Sequence, residues 1–223
     1  MALKPMETVT KDTRGIFAVW KPPGISSFSV IYRIRKITEE KKIGHAGTLD
    51  PLAEGILVIA VGRENTKQLF SKDFQNKEKE YIAIIELGAI STTDDLEGEL
   101  TNTPNIKKPT EEMVGQALKE LTGKILQKPP IFSALKINGV RSYKKAREGH
   151  DFKTKEREVD VKKIELLRYT WPEVEIKITT GPGVYIRSIA RELGEKLKTG
   201  GHLKKLIRTR VANFTKRDAL QLP

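Results

Sequence analysis

The chain has 223 residues, of which 38% are hydrophobic and 31% are charged, so it can bury a core and remain strongly hydrated. Lysine and arginine number 41 against 29 acidic residues, and the net charge of +12 favours a polyanionic partner. Cysteine is absent, which excludes disulfides, thiol catalysis and cysteine-held metal sites, and three histidines are a poor supply for a zinc site.

No segment reads as a membrane span or a secretory signal. No apolar run approaches the roughly 20 residues that cross a bilayer. The first 14 residues are polar and lack the apolar core of a signal peptide. We therefore predict a cytoplasmic location.

The first half of the chain alternates short strands with short helices. Ser26 or Ser27 suits an N-cap, and apolar residues then recur at helical spacing as far as Ile37, with basic residues between them. A glycine-punctuated loop is expected at 44–51. The predicted regular elements are strands at 16–20 and 56–61, a helix that carries Val30, Ile31, Ile34 and Ile37, and a short helix at 66–74.

The second half contains more strands than helices. Asn138-Gly139 predicts a hairpin over 131–143, because this dipeptide supplies the positive φ values of a type I′ turn. The other predictions are strands at 81–87, 159–166 and 174–178, a polar turn region at 92–103, a helical stripe at 113–121 stopped by Gly123, a helix from Ile186 to Leu197 ended by Gly200-Gly201, and a mobile insertion at 144–163. Strands in runs with single helices indicate an α+β domain.

The loop from Gly44 to Asp50 carries an imidazole, a hydroxyl and a carboxylate beside a predicted buried strand. Two glycines let its backbone turn sharply or approach a ligand, and loops on rigid scaffolds are common sites. The plainer alternative is also strong, because Asp50-Pro51 is an ordinary turn-initiating pair and His45 can bond a nearby carbonyl. No phosphate-binding glycine motif is present.

Two further features contain chemically useful residues. Tyr185 and Arg187 stand at a predicted strand-to-helix junction, where an arginine could hold a carboxylate ionised through a bidentate contact. The plainer interpretation of Arg187 is a surface salt bridge, for instance with Glu192. The basic tail contains Lys204, Lys205, Arg208, Arg210, Lys216 and Arg217. Such a run is usually a solvated face, but with the net charge it is equally typical of a phosphate-binding stripe.

The segment Ile43-Gly44-His45-Ala46-Gly47-Thr48-Leu49-Asp50-Pro51-Leu52-Ala53-Glu54-Gly55-Ile56-Leu57 closely resembles the signature loop of the TruB-type tRNA pseudouridine synthases. Further matches follow nearly the whole chain in order. They are 19–27, Lys79-Glu80-Tyr81, the group Asp94, Asp95, Gly98 and Glu99, the segment 127–136 with Gly139, Tyr143, Ala146 and Arg147, the segment 183–187 with Ala190 and 193–194, and 201–203.

This resemblance implies a pseudouridine synthase-like fold, with a mixed, mainly antiparallel central sheet, flanking helices and an RNA-binding cleft. It also implies isomerisation of uridine-55, in the T-loop of tRNA, to pseudouridine by base flipping. No metal and no organic cofactor are expected. The implied partner is the T-arm stem-loop of tRNA, with no protein partner required and a monomeric chain.

The resemblance also assigns roles to residues. Asp50 matches the catalytic aspartate, Tyr81 the aromatic that stacks on the target base, and Arg187 the arginine that pairs with the aspartate. For substrate binding it implies His45, Tyr185 and Leu206, and we add Lys21 of the opening motif. Whether Asp50 acts first as nucleophile or as base stays open.

Many relatives carry a C-terminal RNA-binding domain, whereas this chain ends at Pro223. We expect a single catalytic domain over 1–223, with a basic C-terminal segment 202–223 and no accessory domain. Within that segment Lys204, Lys205, Arg208 and Arg210 are the expected contacts to the RNA backbone. Two alternatives stay open: a tRNA-binding folding chaperone without catalysis, and a synthase directed by guide RNA.

Overall fold

A computed structural model describes residues 7–132, 136–137, 140–141 and 155–222. The chain divides into two compact units, one formed by residues 1–82 with 206–223 and the other by residues 83–205. We call them the first and second units. The single catalytic domain over 1–223 stays a prediction. In the part that the structure describes, no helix has the length and apolar character needed to cross a membrane.

The following bounds define the elements in chain order. The strands are β1 (Gly15–Lys21), β2 (Ile43–Ala46), β3 (Glu54–Val61), β4 (Lys79–Leu87), β5 (Ala89–Ser91), β6 (Leu100–Asn102), β7 (Gly123–Gln127), β8 (Lys136–Ile137), β9 (Val140–Arg141), β10 (Arg157–Thr170), β11 (Glu173–Thr180), β12 (Gly201–Val211), β13 (Phe214–Thr215) and β14 (Ala219–Leu220). The helices are α1 (Ser27–Thr38), α2 (Arg63–Leu69), α3 (Lys72–Gln75), α4 (Glu111–Glu120) and α5 (Ile186–Leu197), and a 3₁₀ turn covers Lys216–Asp218.

In the first unit the strand order is β14-β1-β3-β12-β4, with β2 also paired to β3 and β13 to β12. β1 and β3 are antiparallel from Gly15↔Val61 to Lys21↔Gly55, whereas β12 runs parallel to β3. Residues 55–61 of β3 are all buried, as a strand covered on both faces requires. β3 is therefore the centre of this unit.

In the second unit the order is β12-β4-β11-β10-β7. β10 is antiparallel to both β11 and β7, and β11 alternates buried and half-buried residues. Helices α4 and α5 contact each other and are linked by an ion pair of 2.7 Å between Lys196 and Glu120. This arrangement confirms the predicted α+β class with a mixed, mainly antiparallel sheet.

Several local predictions are confirmed. Ser26 is the N-cap of α1, and its side chain accepts a hydrogen bond from the amide of Ser29. The predicted strand at 56–61 and the helix at 186–197 are present as β3 and α5. Of the predicted 131–143 hairpin, Lys136–Ile137 and Val140–Arg141 pair as β8 and β9. Residues 131–132 are not in a strand, and the turn, Asn138-Gly139, lies outside the described residues.

Other predictions were wrong. Residues 43–46 form a strand rather than the start of a loop, because their backbone pairs with β3. Residues 66–74 are split between two short helices, because Ser71 caps a new one. The polar region at 92–103 includes part of the β5–β6 pair, and residues 157–163 of the expected insertion belong to β10. The first residues of the basic tail, from Lys204 to Arg210, belong to the long strand β12.

Candidate active site

The Asp50 loop is fixed to helix α1 by one buried hydroxyl. Ser27 Oγ donates to the carbonyl oxygen of Leu49 and accepts from the amide of Leu49, both at 2.9 Å. On the other side, the amide of Ala53 donates to the carbonyl oxygen of Asp50 at 3.1 Å. The backbone on both sides of the carboxylate is therefore held by short hydrogen bonds.

Lys21 fixes the same region from strand β1. Its side chain has no exposed surface. Its Nζ donates to the carbonyl oxygens of Pro22 at 2.9 Å, Ile25 at 2.7 Å and Pro51 at 3.3 Å. A buried ammonium needs such partners, and here they tie the loop after β1 to the residue that follows Asp50.

Arg208 approaches the Asp50 loop from strand β12. The side chain is fully enclosed, with 1% of the residue exposed. Its Nε donates to the carbonyl oxygen of Ile56 at 2.7 Å, and its Nη2 donates to the carbonyl oxygen of Gly47 at 2.8 Å. One guanidinium thus spans from the central strand β3 to the glycine three residues before Asp50.

Two glycines make room for this arginine. Gly55 of β3 has φ +115°, and a Cβ there would lie 2.2 Å from the carbonyl oxygen of Arg208. Gly47 has φ +71°, and a Cβ there would lie 3.2 Å from Nη1 of Arg208. The signature loop therefore needs glycine at both positions, because the backbone conformation and the arginine leave no space for a side chain.

Two residues of the predicted site interact with the Arg208 guanidinium. Burial lowers the pKa of the Arg208 guanidinium, while the Tyr81 hydroxyl, to which it donates a hydrogen bond, and the Asp50 carboxylate act to raise it. An enclosed cation in turn favours a negative charge on a neighbouring carboxylate. Asp50, Tyr81 and Arg208 therefore form one interacting group in the first unit.

These positions correct two sequence predictions. We expected Arg208 to contact the RNA backbone, but a guanidinium that is buried and bonded to carbonyl oxygens is not available to a phosphate. We expected Lys21 to bind substrate, but its ammonium is enclosed among three carbonyl oxygens. Both residues are better described as positioning residues for the Asp50 loop.

The other predicted residues of the first unit lie on the same sheet. Tyr81, on β4, and Leu206, on β12, are each 6% exposed. His45 is half-buried on β2, opposite Ile59 of β3. Asp50 itself is partly exposed, so the chain alone does not fully shield this residue from water.

Tyr185 and Arg187 lie in the second unit, at the start of α5. Tyr185 is the N-cap residue, and its backbone exchanges two hydrogen bonds with the Gln127 side chain. The guanidinium of Arg157 lies 5.1 Å from its ring centroid. The ring is therefore held between a strand and a helix.

Arg187 is buried rather than on the surface. It lies 3.5 Å from the Asp95 carboxylate, and it donates to the carbonyl oxygens of Thr93 at 3.1 Å and Phe132 at 2.9 Å. The plainer interpretation, an exposed salt bridge with Glu192, was therefore wrong. The pairing of Arg187 with Asp50 stays a prediction.

A second acidic–basic cluster follows one turn along α5. Arg191 donates to Asp94 and lies 3.4 Å from Glu192. Burial raises the pKa of Asp94, and Arg191 opposes that effect. Burial also raises the pKa of Glu192, to about 7, again against the pull of Arg191.

The remaining basic residues of the tail differ in availability. Lys204 is bound to the carboxylates of Glu86 and Glu173, which raise the pKa of its ammonium group. Arg210 is partly buried and donates to the carbonyl oxygen of Ala212 at 3.1 Å. Lys205 is exposed. Their contacts with an RNA backbone stay predictions.

The described residues contain no cluster of three or more side chains that could hold a metal ion.

A family model for the TruB family pseudouridylate synthase N-terminal domain matches residues 35–186. The chain belongs to this TruB family. The match includes Asp50, Tyr81 and Tyr185. The sequence is 43% identical to the tRNA pseudouridine synthase B of Phocaeicola vulgatus, over 91% of this chain and 87% of that protein. It is 40% identical to the enzyme of that name from Listeria monocytogenes, over 93% of this chain and 69% of that one.

Solved structures agree with the TruB fold. A chain of the Cbf5–Nop10–Gar1 complex matches with a TM-score of 0.69 and 27% identity, over 96% of this chain and 56% of that one. A chain of an H/ACA ribonucleoprotein bound to a substrate RNA containing 2′-deoxyuridine matches with a TM-score of 0.68 and 25% identity, over 99% and 57%. This chain therefore spans little more than half of those solved chains.

Proposed function

We propose that this chain is an isomerase that converts a uridine of tRNA to pseudouridine, with Asp50 as its catalytic carboxylate. The observation that carries the proposal is the structure around Asp50. The Asp50 loop is held by hydrogen bonds from Ser27 and Lys21. The Asp50 carboxylate attracts the Arg208 guanidinium, which also donates a hydrogen bond to the Tyr81 hydroxyl. Its kinship with proteins named tRNA pseudouridine synthase B supports the same reaction.

The reaction rearranges one nucleotide without adding or removing atoms. The bond between C1′ and N1 of uracil breaks, and a bond between C1′ and C5 of the same base forms. The proton that C5 loses balances the proton that N1 gains, so the product is an isomer. The base first leaves the loop stack at a cost of a few kcal/mol, part of which stacking on an aromatic ring recovers.

The proposed roles follow from this chemistry. A carboxylate beside C1′ can attack it or act as a base, and it stabilises positive charge on the sugar. Tyr81 offers a ring to the extruded uracil while its hydroxyl is oriented by Arg208. His45, Leu206 and Tyr185 complete the proposed contacts with the nucleotide, and Arg187 is the proposed second partner of Asp50.

The finer proposal is that the target is uridine-55 in the T-loop. The test is chemical mapping of pseudouridine in a T-arm stem-loop incubated with the purified chain. We expect one new pseudouridine at that loop position and none in a stem-loop whose target uridine is replaced by cytidine. Binding without any pseudouridine would favour the folding chaperone, and activity only with an added guide RNA would favour the guided synthase.

We further propose that the chain acts as a monomer in the cytoplasm, since tRNA is its proposed substrate and the resemblance to the TruB-type synthases implies a monomeric chain. Sedimentation of the purified protein with and without a T-arm stem-loop tests this. A single species with the mass of one chain is expected, and activity confined to a dimer would contradict it.

A further inference from the structure

Helix α1 presents two aromatic rings to solvent. Phe28 is 65% exposed and Tyr32 is 50% exposed. Among the described residues, three of the exposed large hydrophobic side chains are aromatic, and two of those three lie on this helix. Because they are four residues apart, both rings lie on the same face. Burial therefore does not account for them.

The same face carries positive charge. Lys36 continues the four-residue spacing, and its Nζ lies 4.8 Å from the centroid of the Tyr32 ring. Arg33 is exposed beside it, and helix α1 contains no acidic residue. We call Phe28, Tyr32, Arg33 and Lys36 the aromatic–basic face. Basic residues near a helix C-terminus are favourable on their own, but that effect does not explain the exposed rings.

The aromatic–basic face lies on the helix whose buried side anchors the Asp50 loop. Phe28 directly follows Ser27, whose buried hydroxyl holds the backbone of Leu49. The first exposed ring therefore starts one residue from the contact that fixes the catalytic loop. A molecule bound at Asp50 therefore lies beside helix α1.

We infer that the aromatic–basic face binds the loop nucleotides next to the target uridine, with bases stacked on Phe28 and Tyr32 and phosphates on Arg33 and Lys36. The inference rests on the proposed function for the identity of the RNA. Unpaired bases stack on exposed aromatic rings, and an arginine–lysine pair matches the backbone charge. A second copy of this basic chain would bring like charges together, so RNA fits the face better.

The test uses a T-arm stem-loop in which 2-aminopurine replaces a loop base next to the target. Wild-type protein should quench its fluorescence, because the base stacks on a ring. Replacing both rings, Phe28→Ser with Tyr32→Ser, should abolish the quench and weaken binding at least about fivefold. The matched control replaces two other exposed apolar residues, Met113→Ser with Leu126→Ser, and should change neither quantity.

The charged residues are tested through salt dependence. Replacing both cations, Arg33→Gln with Lys36→Gln, should reduce the slope of log Kd against log salt by about 2, while the exposed control Lys119→Gln leaves it unchanged. Circular dichroism and Tm confirm that each variant is folded. Because the rings are neutral, the double serine variant should keep the wild-type slope.

Measuring RNA binding and pseudouridine formation separately distinguishes the inference about the aromatic–basic face from the proposed function. Wild-type affinity and quench in the double serine variant would overturn the inference while leaving pseudouridine formation intact. Loss of self-association in that variant, with unchanged RNA affinity, would also overturn it and assign the face to chain–chain contact. A wild-type chain that quenches the probe but forms no pseudouridine would contradict only the proposed function.

Discussion

The Arg208 guanidinium donates to the carbonyl oxygen of Gly47 at 2.8 Å, three residues before Asp50. Through this bond, strand β12 positions the loop that carries the proposed catalytic carboxylate. The same guanidinium binds the Tyr81 hydroxyl, so two proposed catalytic side chains share one buried cation. Arg208, a residue of the basic tail, is thus part of the site itself.

Substituting Arg208→Lys should lower kcat about 100-fold with little change in KM, because an ammonium lacks the fork that reaches Ile56, Gly47 and Tyr81 at once. Single-turnover kinetics with a T-arm stem-loop measure this. The matched control is Arg168→Lys, an exposed arginine paired with Glu173 and Glu175 in the second unit.

Gly47→Ala tests the same positioning role of Arg208. The alanine Cβ would lie 3.2 Å from Nη1 of Arg208, and residue 47 has a positive φ that strains an alanine. It should also lower kcat. A raised KM with an unchanged kcat in Arg208→Lys would instead restore Arg208 as a phosphate contact.

Lys21→Gln should lower both Tm and kcat. A neutral amide cannot satisfy three carbonyl oxygens as an ammonium does, and leaving such groups unsatisfied costs about 1–3 kcal/mol. Each kcal/mol lowers Tm by about 2–4 °C in a chain of this size. Exposed Lys72→Gln is the control. An unchanged Tm with a raised KM would show that Lys21 binds substrate directly.

Lys205→Gln should reduce the salt slope of tRNA binding by about 1, because this lysine is exposed. Lys204→Gln should reduce it less, since Glu86 and Glu173 already neutralise that ammonium. Fluorescence anisotropy at four salt concentrations measures both slopes, with exposed Lys107→Gln as the control. Equal slopes for wild type and Lys205→Gln would remove Lys205 from the RNA contacts.

Glu192 makes stability depend on pH. Its pKa is raised from 4.5 to about 7, so folding favours the protonated form. That contribution is fully present below pH 4.5 and is lost as the pH rises through 7. As the pH rises from 4.5 to 7, the Tm of Glu192→Gln relative to that of wild type should therefore increase by a few degrees. Glu64→Gln, whose side chain is 79% exposed, should track wild type. Parallel curves for wild type and Glu192→Gln would refute the assignment.

Local patterns predicted the regular elements well. The apolar run at 56–61 and the N-cap Ser26 required no knowledge of distant residues, because burial and capping depend on nearby sequence. Residues 43–46 were mistaken for a loop because their strand depends on pairing with β3. Ser71 was missed as a helix start because the surrounding pattern stays helical on both sides.

The site was predictable in part. The signature loop drew attention to Asp50, and the Lys79-Glu80-Tyr81 match drew attention to Tyr81. Charge alone could not separate a buried arginine from an exposed lysine in the tail. The alternation of buried and more exposed residues along β12 was not recognised. It places Leu206 and Arg208 together on the buried face of the strand. The approach of Arg208 to Gly55 joins positions more than 150 residues apart, and no local pattern contains that information.

The most direct test of the central claim is Asp50→Asn, measured for both binding and chemistry. The amide keeps the size of the side chain and removes its negative charge. The variant should bind the T-arm stem-loop with wild-type affinity and form no detectable pseudouridine. Pseudouridine formed at the wild-type rate by folded Asp50→Asn would contradict the account.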